Sequence, residues 1–298
     1  MTLVSVILPT YDRVAYVRAA VDSVVRQTHA DWELIIADDG SGEETQCYLH
    51  GLTDSRMSVV RLAHTGNPSR VRNAAIQRAR GEYIAFLDSD DLWEPSKTEV
   101  QLATLRSSPG SRWSYTAATE IDSDGHPIEF EGQVPWLPLA GNIVEPLITI
   151  RALLATSAVM AERSLVAELG GFDESQLFGE DYDLWLRMAA RSNVAVVDRP
   201  LIRVRNGQIT SYGSDRIGAY EGWVQWYDKL TRSLSDGRLR VLAGQRRAES
   251  TLVLAGLYAE AGRGGAAWRT LAYSARRGPT TAGWWWRALK TMVRSVLP

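Results

Sequence analysis

Apolar runs of strand length alternate with amphipathic stretches along the first half of the chain. Leu3 to Leu8 reads as a strand, and Val14 to Gln27 gathers Ala20, Val21, Val24 and Val25 on one side, which predicts a helix. Glu33 to Ala37 predicts a second strand and runs into the turn-forming Asp38-Asp39-Gly40-Ser41-Gly42. A helix over Glu43 to Gly51, a strand over Ser58 to Leu62, a helix over Ser69 to Arg80 and a strand over Glu82 to Leu87 complete the series. Such alternation predicts βαβ units around a mostly parallel central sheet flanked by helices. Pro95 is expected to open the next helix, where a missing N–H is tolerated.

The middle of the chain is less periodic. Arg112 to Glu120 and Pro127 to Phe130 read as strands joined by the turn Asp122-Ser123-Asp124-Gly125, and Ser157 to Ala161 as another strand. Glu180 to Arg191 predicts a helix with Leu184, Leu186 and Met188 inward, and Val194 to Val197 a strand after it. From Ser214 onward the pattern is helical, with breaks near Ser235 to Gly237, Gly262 to Gly265 and Gly278-Pro279. The expectation is an α/β domain over residues 1–210 and a helical appendage over 211–298, with the seam near Asn206 to Gly213.

Composition narrows the setting. A single cysteine, Cys47, excludes an internal disulfide framework and a Cys-rich zinc site, and points to a reducing compartment. Leu3 to Leu8 lacks a basic flank and ends at Pro9, so no secretory leader is expected; no apolar run approaches the ~18 residues of a membrane span. The net charge of −2 hides an asymmetry: Arg238 to Pro298 carries 11 basic residues and 2 acidic ones, against 22 basic and 33 acidic before it. An acidic body with a basic tail suggests a polyanionic partner for the tail. In a helical projection of Gly283 to Leu297, Trp285, Leu289, Met292 and Val296 share one face, and Arg287, Lys290 and Arg294 lie opposite. That amphipathicity fits a helix lying on an anionic membrane surface, or a terminal helix packing on the body. Nucleic acid is not expected, because the basic residues are spread over several helices without a nucleic-acid module.

Chemistry concentrates in three acidic clusters. The run Tyr83-Ile84-Ala85-Phe86-Leu87 looks like a strand buried on both faces, and it ends in Asp88-Ser89-Asp90-Asp91. The acids would stand at the strand's carboxyl end, where open α/β sheets bind ligands, and Asp88 and Asp90 offer hard oxygens to a divalent cation carrying a diphosphate. Asp38-Asp39 ends the second strand, and Glu180-Asp181 opens a helix. Each cluster also has a purely structural reading, as a turn, a helix-capping loop, or acids at a helix N-terminus. The dinucleotide, P-loop, zinc-protease and α/β-hydrolase motifs are all missing.

Together these blocks resemble the family 2 glycosyltransferases of GT-A fold, from about Leu3 to Asn206. The blocks are Val4 to Arg13, Glu33 to Ser41, Asn67 to Ala74, Gly81 to Asp91 with its D-x-D element, Gly170 to Glu174, and Gly179 to Trp185, in that order. The resemblance implies an inverting, metal-dependent enzyme that moves a sugar from a UDP- or dTDP-sugar to the hydroxyl of a glycan, lipid-linked saccharide or other small acceptor. Cell-surface polysaccharide or glycoconjugate synthesis, at the cytoplasmic face of the membrane, is the implied setting. The donor would lie over Pro9, Thr10, Tyr11, Arg13 and Asp38, with Tyr11 on the base and Asp39 accepting from the base imide. Arg72, with Arg70 second, would be a charged fork near the nucleotide. Asp88 and Ser89 would lie near the ribose, Asp90 would hold Mg²⁺ or Mn²⁺, and Asp91 would orient the loop or meet the sugar. Asp181, with Glu180 second, would be the base.

Many relatives carry a histidine after the last strand; here Arg203 to Thr210 has none, so where that histidine helps to hold the metal, either Asn206 or water substitutes here or metal affinity is lower. His64 is expected to be a plain loop residue. A nucleotidyltransferase-like enzyme would share the sheet and acids but needs a glycine- and lysine-rich loop after the first strand, and Pro9 to Arg13 is not one. A non-catalytic sugar-nucleotide-binding subunit would be expected to have lost Asp90 or the Glu180-Asp181 pair.

Overall fold

The computed structural model describes residues 2–128, 136–152, 154–205, 215–277 and 281–296. The chain divides into two compact units. The first comprises Met1–Leu147, Ala152–Ser175 and Glu180–Gln208; the second comprises Ile148–Arg151, Gln176–Gly179 and Ile209–Pro298.

The first unit is built on one eight-stranded sheet. Its elements run β1 (Val4–Thr10), α1 (Val14–Val25), β2 (Trp32–Asp38), α2 (Glu43–His50), β3 (Met57–Arg61), α3 (Pro68–Ile76), β4 (Tyr83–Phe86), β5 (Leu92–Trp93), α4 (Lys97–Arg106) and β6 (Ser111–Ile121). There follow α5 (Val144–Ile148), a 3-10 turn at Thr156–Ala158, β7 (Met160–Glu162), α6 (Arg163–Glu168), α7 (Glu180–Ala189) and β8 (Asn193–Arg205). Strand order is β3-β2-β1-β4-β7-β6-β8-β5. The pairs β3/β2, β2/β1, β1/β4 and β6/β8 are parallel, whereas β7 runs antiparallel to both neighbours and β5 antiparallel to β8. Strand β1 is nearly all buried and β2 wholly so, as central parallel strands require. Because the chain leaves β1 toward β2 and β3, then returns to pair β4 on β1's other side, the order reverses there. Such a reversal opens a crevice at the strands' carboxyl ends.

Several expected elements shift for physical reasons. Helix α3 starts on Pro68 with Asn67 as its cap and ends at Ile76, before the expected Arg80, whose guanidinium and N–H instead bind Glu33. Gly81 then lies against β1: a Cβ there would meet Ser5 N at 2.7 Å and Leu3 O at 2.8 Å. Pro95 precedes α4 and does not open it; Leu92 and Trp93 pair with Arg203 and Ile202. The expected strand at Ser157 to Ala161 is a 3-10 turn followed by β7. Strand β8 runs far beyond the expected Val197, because the exposed Asp198-Arg199-Pro200 stretch is absorbed by register shifts opposite Ala117. A bulge is where a sheet tolerates proline. Pro127 makes only an isolated bridge to Ile121; Phe130, Asn206 to Gly213 and the Gly278-Pro279 break lie outside the described residues.

The second unit is helical: α8 (Arg216–Ser233), α9 (Gly237–Glu260), α10 (Gly264–Arg277) and α11 (Ala282–Val296). Asp236 caps α9 through the N–H groups of Arg238 and Leu239. The core of this unit gathers Leu252, Ala255 and Tyr258 of α9, Leu271 of α10, and Trp284 and Ala288 of α11. No described helix is long and apolar enough to cross a membrane.

Candidate active site

The carboxyl ends of β1, β2 and β4 carry the predicted residues. After β1, Asp12 takes a positive φ of 45°, and its Oδ1 accepts from Gly42 N–H while its own N–H donates to Ser41 Oγ. This clasps the loop after β1 to the loop after β2. Asp38 is fully buried, and its Oδ1 accepts from Ser41 N–H, so its side chain shapes the turn. Thr10 is buried, and its carbonyl accepts from Asp39 N–H.

Tyr11 and Asp39 converge on a residue that the sequence reading set aside. The Tyr11 ring, 43% exposed, stacks on His64 with centroids 4.2 Å apart. His64 Nδ1 lies 3.0 Å from the Asp39 carbonyl and 3.1 Å from Asp39 Oδ2. Asp39 Oδ1 accepts from Thr65 N–H and Oγ1, and Oδ2 from Gly66 N–H. With His64 Nδ1 beside Oδ2, these three donors surround the carboxylate on about all four of its acceptor directions. Gly40, at φ +82°, permits the approach, since a Cβ there would sit 2.7 Å from His64 N. The only sequence signal for His64 was its place just after β3, too weak to single it out.

The loop after β4 is held from three sides. Asp88 N–H donates to Ser157 Oγ, which in turn donates to Asp91 Oδ2 at 2.5 Å. Asp91 Oδ1 accepts from Arg205 N–H, and Arg205 Nε donates to the Asp90 carbonyl. Burial and the charges of Asp88 and Asp90 push the Asp91 carboxyl well above the usual range, so Asp91 is a buried holder of the loop. Ser89 is buried between its acidic neighbours. Asp90 is half-buried and receives Arg13 Nη1 at 2.6 Å; burial, then Asp88, raise it above an ordinary carboxyl, and Arg13 opposes them. Burial first, and repulsion among the acids second, raise Asp90 and Asp91; with Asp91 engaged by Ser157 and Arg205, Asp90 and Asp88 are the acids whose hard oxygens suit Mg²⁺ or Mn²⁺.

Arg72 connects this loop to α7. Its guanidinium is almost fully buried and gives Nη2 to Asp88 Oδ1 and Nη1 to Glu180 Oε1, each at 2.8 Å. Desolvation is outweighed by the two carboxylates, so Arg72 stays charged, held above its ordinary value. Phe172 lies under the guanidinium at 5.3 Å. Both forks of Arg72 are thus engaged by protein groups, whereas Arg70 is exposed and pairs with Glu174 at 3.6 Å.

At the start of α7, Asp181 Oδ2 accepts from Thr156 Oγ1 at 3.2 Å and Oδ1 from Tyr182 N–H at 2.8 Å. Burial and the adjacent Glu180 charge push its carboxyl up to about 7, against the opposing pull of Arg72. Asn206, one candidate to stand in for the late histidine, lies outside the described residues, and Arg205 is the neighbour that the acidic loop is seen to have.

This sheet, with its site at the reversal between β1 and β4, is of the GT-A class. By structure the chain is similar to S. aureus TarS residues 1–349 in complex with UDP-GlcNAc, with a TM-score of 0.63 and 17% identity over 99% of this chain and 82% of that one. It is also similar to the mannosyltransferase PcManGT from Pyrobaculum calidifontis in complex with GDP-Man and Mn²⁺, with a TM-score of 0.61, 16% identity, and coverage of 99% and 86%. In sequence, residues 5–115 match the family model "Glycosyl transferase family 2". An uncharacterized glycosyltransferase of Rickettsia felis is 35% identical over 208 residues, 68% of this chain and 33% of that protein. The Escherichia coli protein WfgD, named UDP-Glc:alpha-D-GlcNAc-diphosphoundecaprenol beta-1,3-glucosyltransferase, is 30% identical over 202 residues, 66% of this chain and 73% of its own length. The chain belongs to glycosyl transferase family 2, although it spans only about a third of the length of the Rickettsia felis relative.

Proposed function

We propose that the chain is a metal-dependent, inverting glycosyltransferase that moves a sugar from a UDP- or dTDP-sugar to an acceptor hydroxyl, in the synthesis of a cell-surface polysaccharide or glycoconjugate. The observation that carries this reading is the Arg72 bridge, which ties Asp88 of the D-x-D loop to Glu180, next to Asp181. Donor-binding acids and a raised carboxyl are thereby held in one frame.

Tyr11, backed by His64, offers a stacking surface for the base, and the Asp39 carboxylate beside it would accept an imide N–H in place of its contact with His64. Uracil and thymine have that donor and cytosine lacks it. Asp88 would lie toward the ribose, and Pro9, Thr10, Arg13 and Ser89 would complete the donor site. Asp90 would hold the Mg²⁺ or Mn²⁺, which when bound offsets charge on the departing nucleoside diphosphate.

Asp181 takes the proton of the acceptor hydroxyl. As that oxygen bonds to the anomeric carbon, the bond from carbon to the diphosphate oxygen breaks on the opposite face, so the configuration inverts. A carboxyl near 7 suits a base working at neutral pH, because half of it is ionised there without having lost its basicity. The WfgD name, with its UDP-glucose donor and diphosphoundecaprenol-linked acceptor, supports a UDP-hexose and a lipid-linked saccharide. Release of nucleoside diphosphate from a panel of sugar nucleotides, with Mn²⁺ and lipid-linked acceptors, tests this. UDP- or dTDP-sugars are expected to turn over, and turnover of none of the panel would overturn the assignment.

A further inference from the structure

Helices α9 and α11 border an open cleft of about 500 Å³, lined by Tyr220 of α8, by Arg246, Glu249 and Val253 of α9, and by Arg287 and Lys290 of α11. Three cations face one carboxylate. Arg246 gives one guanidinium nitrogen to Glu249 at 2.6 Å and is also hydrogen-bonded to Tyr227, while its buried Nε has no hydrogen-bond partner among the described residues. A cleft with this excess of positive charge suits a phosphate group.

The helix that forms one wall is only partly satisfied by packing. Trp284 and Ala288 are buried at 2% and 0% exposure, and Trp284 Nε1 donates to the Ala248 carbonyl. The apolar face drawn from the sequence is a different one, and its described members stay outside: Trp285 is 50% exposed and Leu289 51%, with Trp286 at 60% between them and the cations. At 100° per residue, the order around α11 away from its buried edge is Arg287, Lys290, Trp286, Leu289, Trp285. Three large apolar side chains thus occupy an arc of roughly 100°, and the cleft's cations occupy the arc beside it. Lys290 Nζ marks the boundary, 5.3 Å from the centre of the Trp286 ring. Packing explains Trp284 and Ala288 but not this arc. Tryptophan next to cations on one exposed helix is the chemistry of a membrane interface, where indoles enter the headgroup region and cations meet phosphate.

We propose that this face docks on an anionic phospholipid bilayer, with a lipid phosphate seated in the cleft by Arg246, Arg287 and Lys290, and with Trp285, Trp286 and Leu289 in the interfacial layer. The excess of basic residues after Arg238 adds long-range attraction to the same surface. This face commits to a bilayer because a partner protein would leave the cationic cleft beside the tryptophan arc unexplained.

Co-sedimentation of the full chain with phosphatidylcholine vesicles, with and without phosphatidylglycerol, tests the proposal. Binding is expected only with phosphatidylglycerol and is expected to weaken in high salt. Arg287→Gln with Lys290→Gln should lower the partition coefficient by roughly 25-fold. Trp285→Ser with Trp286→Ser, at exposed positions and with an unchanged melting temperature, should abolish it. Equal binding to neutral vesicles, or no loss in the cation variant, overturns the cleft. Self-association that the tryptophan variant abolishes, without vesicle binding, would assign the face to a second copy. The measurement needs no sugar donor, so its outcome is separate from that of the transfer assay.

Discussion

Arg72 is a single residue on which two halves of the site depend. Replacing it by alanine leaves Asp88 and the buried Glu180 without their shared cation, and breaking a buried pair in this way costs about 3–5 kcal/mol. Urea denaturation of Arg72→Ala should show that loss, and Arg72→Lys should recover little of it, because an ammonium cannot reach both carboxylates as a planar fork does. Asp181→Asn should keep nucleotide affinity and lose about 10²–10⁴ in transfer rate; transfer at the original rate would give the base role to Glu180. With Asp181 pushed up to about 7, kcat/KM of the wild type should rise as pH increases through that value, because the base works unprotonated. The same shift bears on stability with a definite sign. The folded chain holds this proton more tightly than the unfolded one, so the group's contribution falls as pH rises from its unfolded value of about 4 toward 7. Asp181→Asn should therefore raise the melting temperature more at pH 8 than at pH 5. Both acids were legible in the sequence as a pair at a helix start. The bridge to them was not: Arg72 and Glu180 are 108 residues apart, and nothing local to Arg72 distinguishes a buried fork from a surface charge.

At the scale of elements, the strands and helices through β4 were legible because buried parallel strands write short apolar runs and helices write a 3.6-residue period. The misses came where pairing overrides local pattern. The acidic run after β4 could be read as a helix-capping loop, but Leu92-Trp93 beyond it pairs with β8, and the strand expected over Val194 to Val197 continues past Pro200 through a bulge. His64 was passed over because its partners, Tyr11 and Asp39, follow other strands. The loop after β2 offers a test of that assembly. Gly40→Ala imposes a side chain at φ +82° and drives Cβ into the His64 backbone, so it should destabilise the protein by about 1–3 kcal/mol and weaken UDP binding through Tyr11 and His64. Chemical denaturation and calorimetry would read the two effects.

At the scale of the whole molecule, the charge asymmetry has a division of labour in it: the sheet unit carries the acids proposed to bind the donor, and the helical unit carries the basic tail and an exposed tryptophan arc. The main segment of the helical unit is Ile209–Pro298. That unit also recruits Ile148–Arg151 and Gln176–Gly179, short segments whose affiliation no local pattern announces. The central claim is that the crevice at the ends of β1, β2 and β4 binds a uridine or thymidine diphosphate for glycosyl transfer. Calorimetric titration of UDP, dTDP and CDP in the presence of Mn²⁺ tests it most directly. The expected result is saturable binding of UDP or dTDP, weaker binding of CDP, and loss of affinity in Asp39→Ala and Asp90→Ala variants that remain folded. No heat and no thermal stabilisation with any nucleoside diphosphate would contradict it.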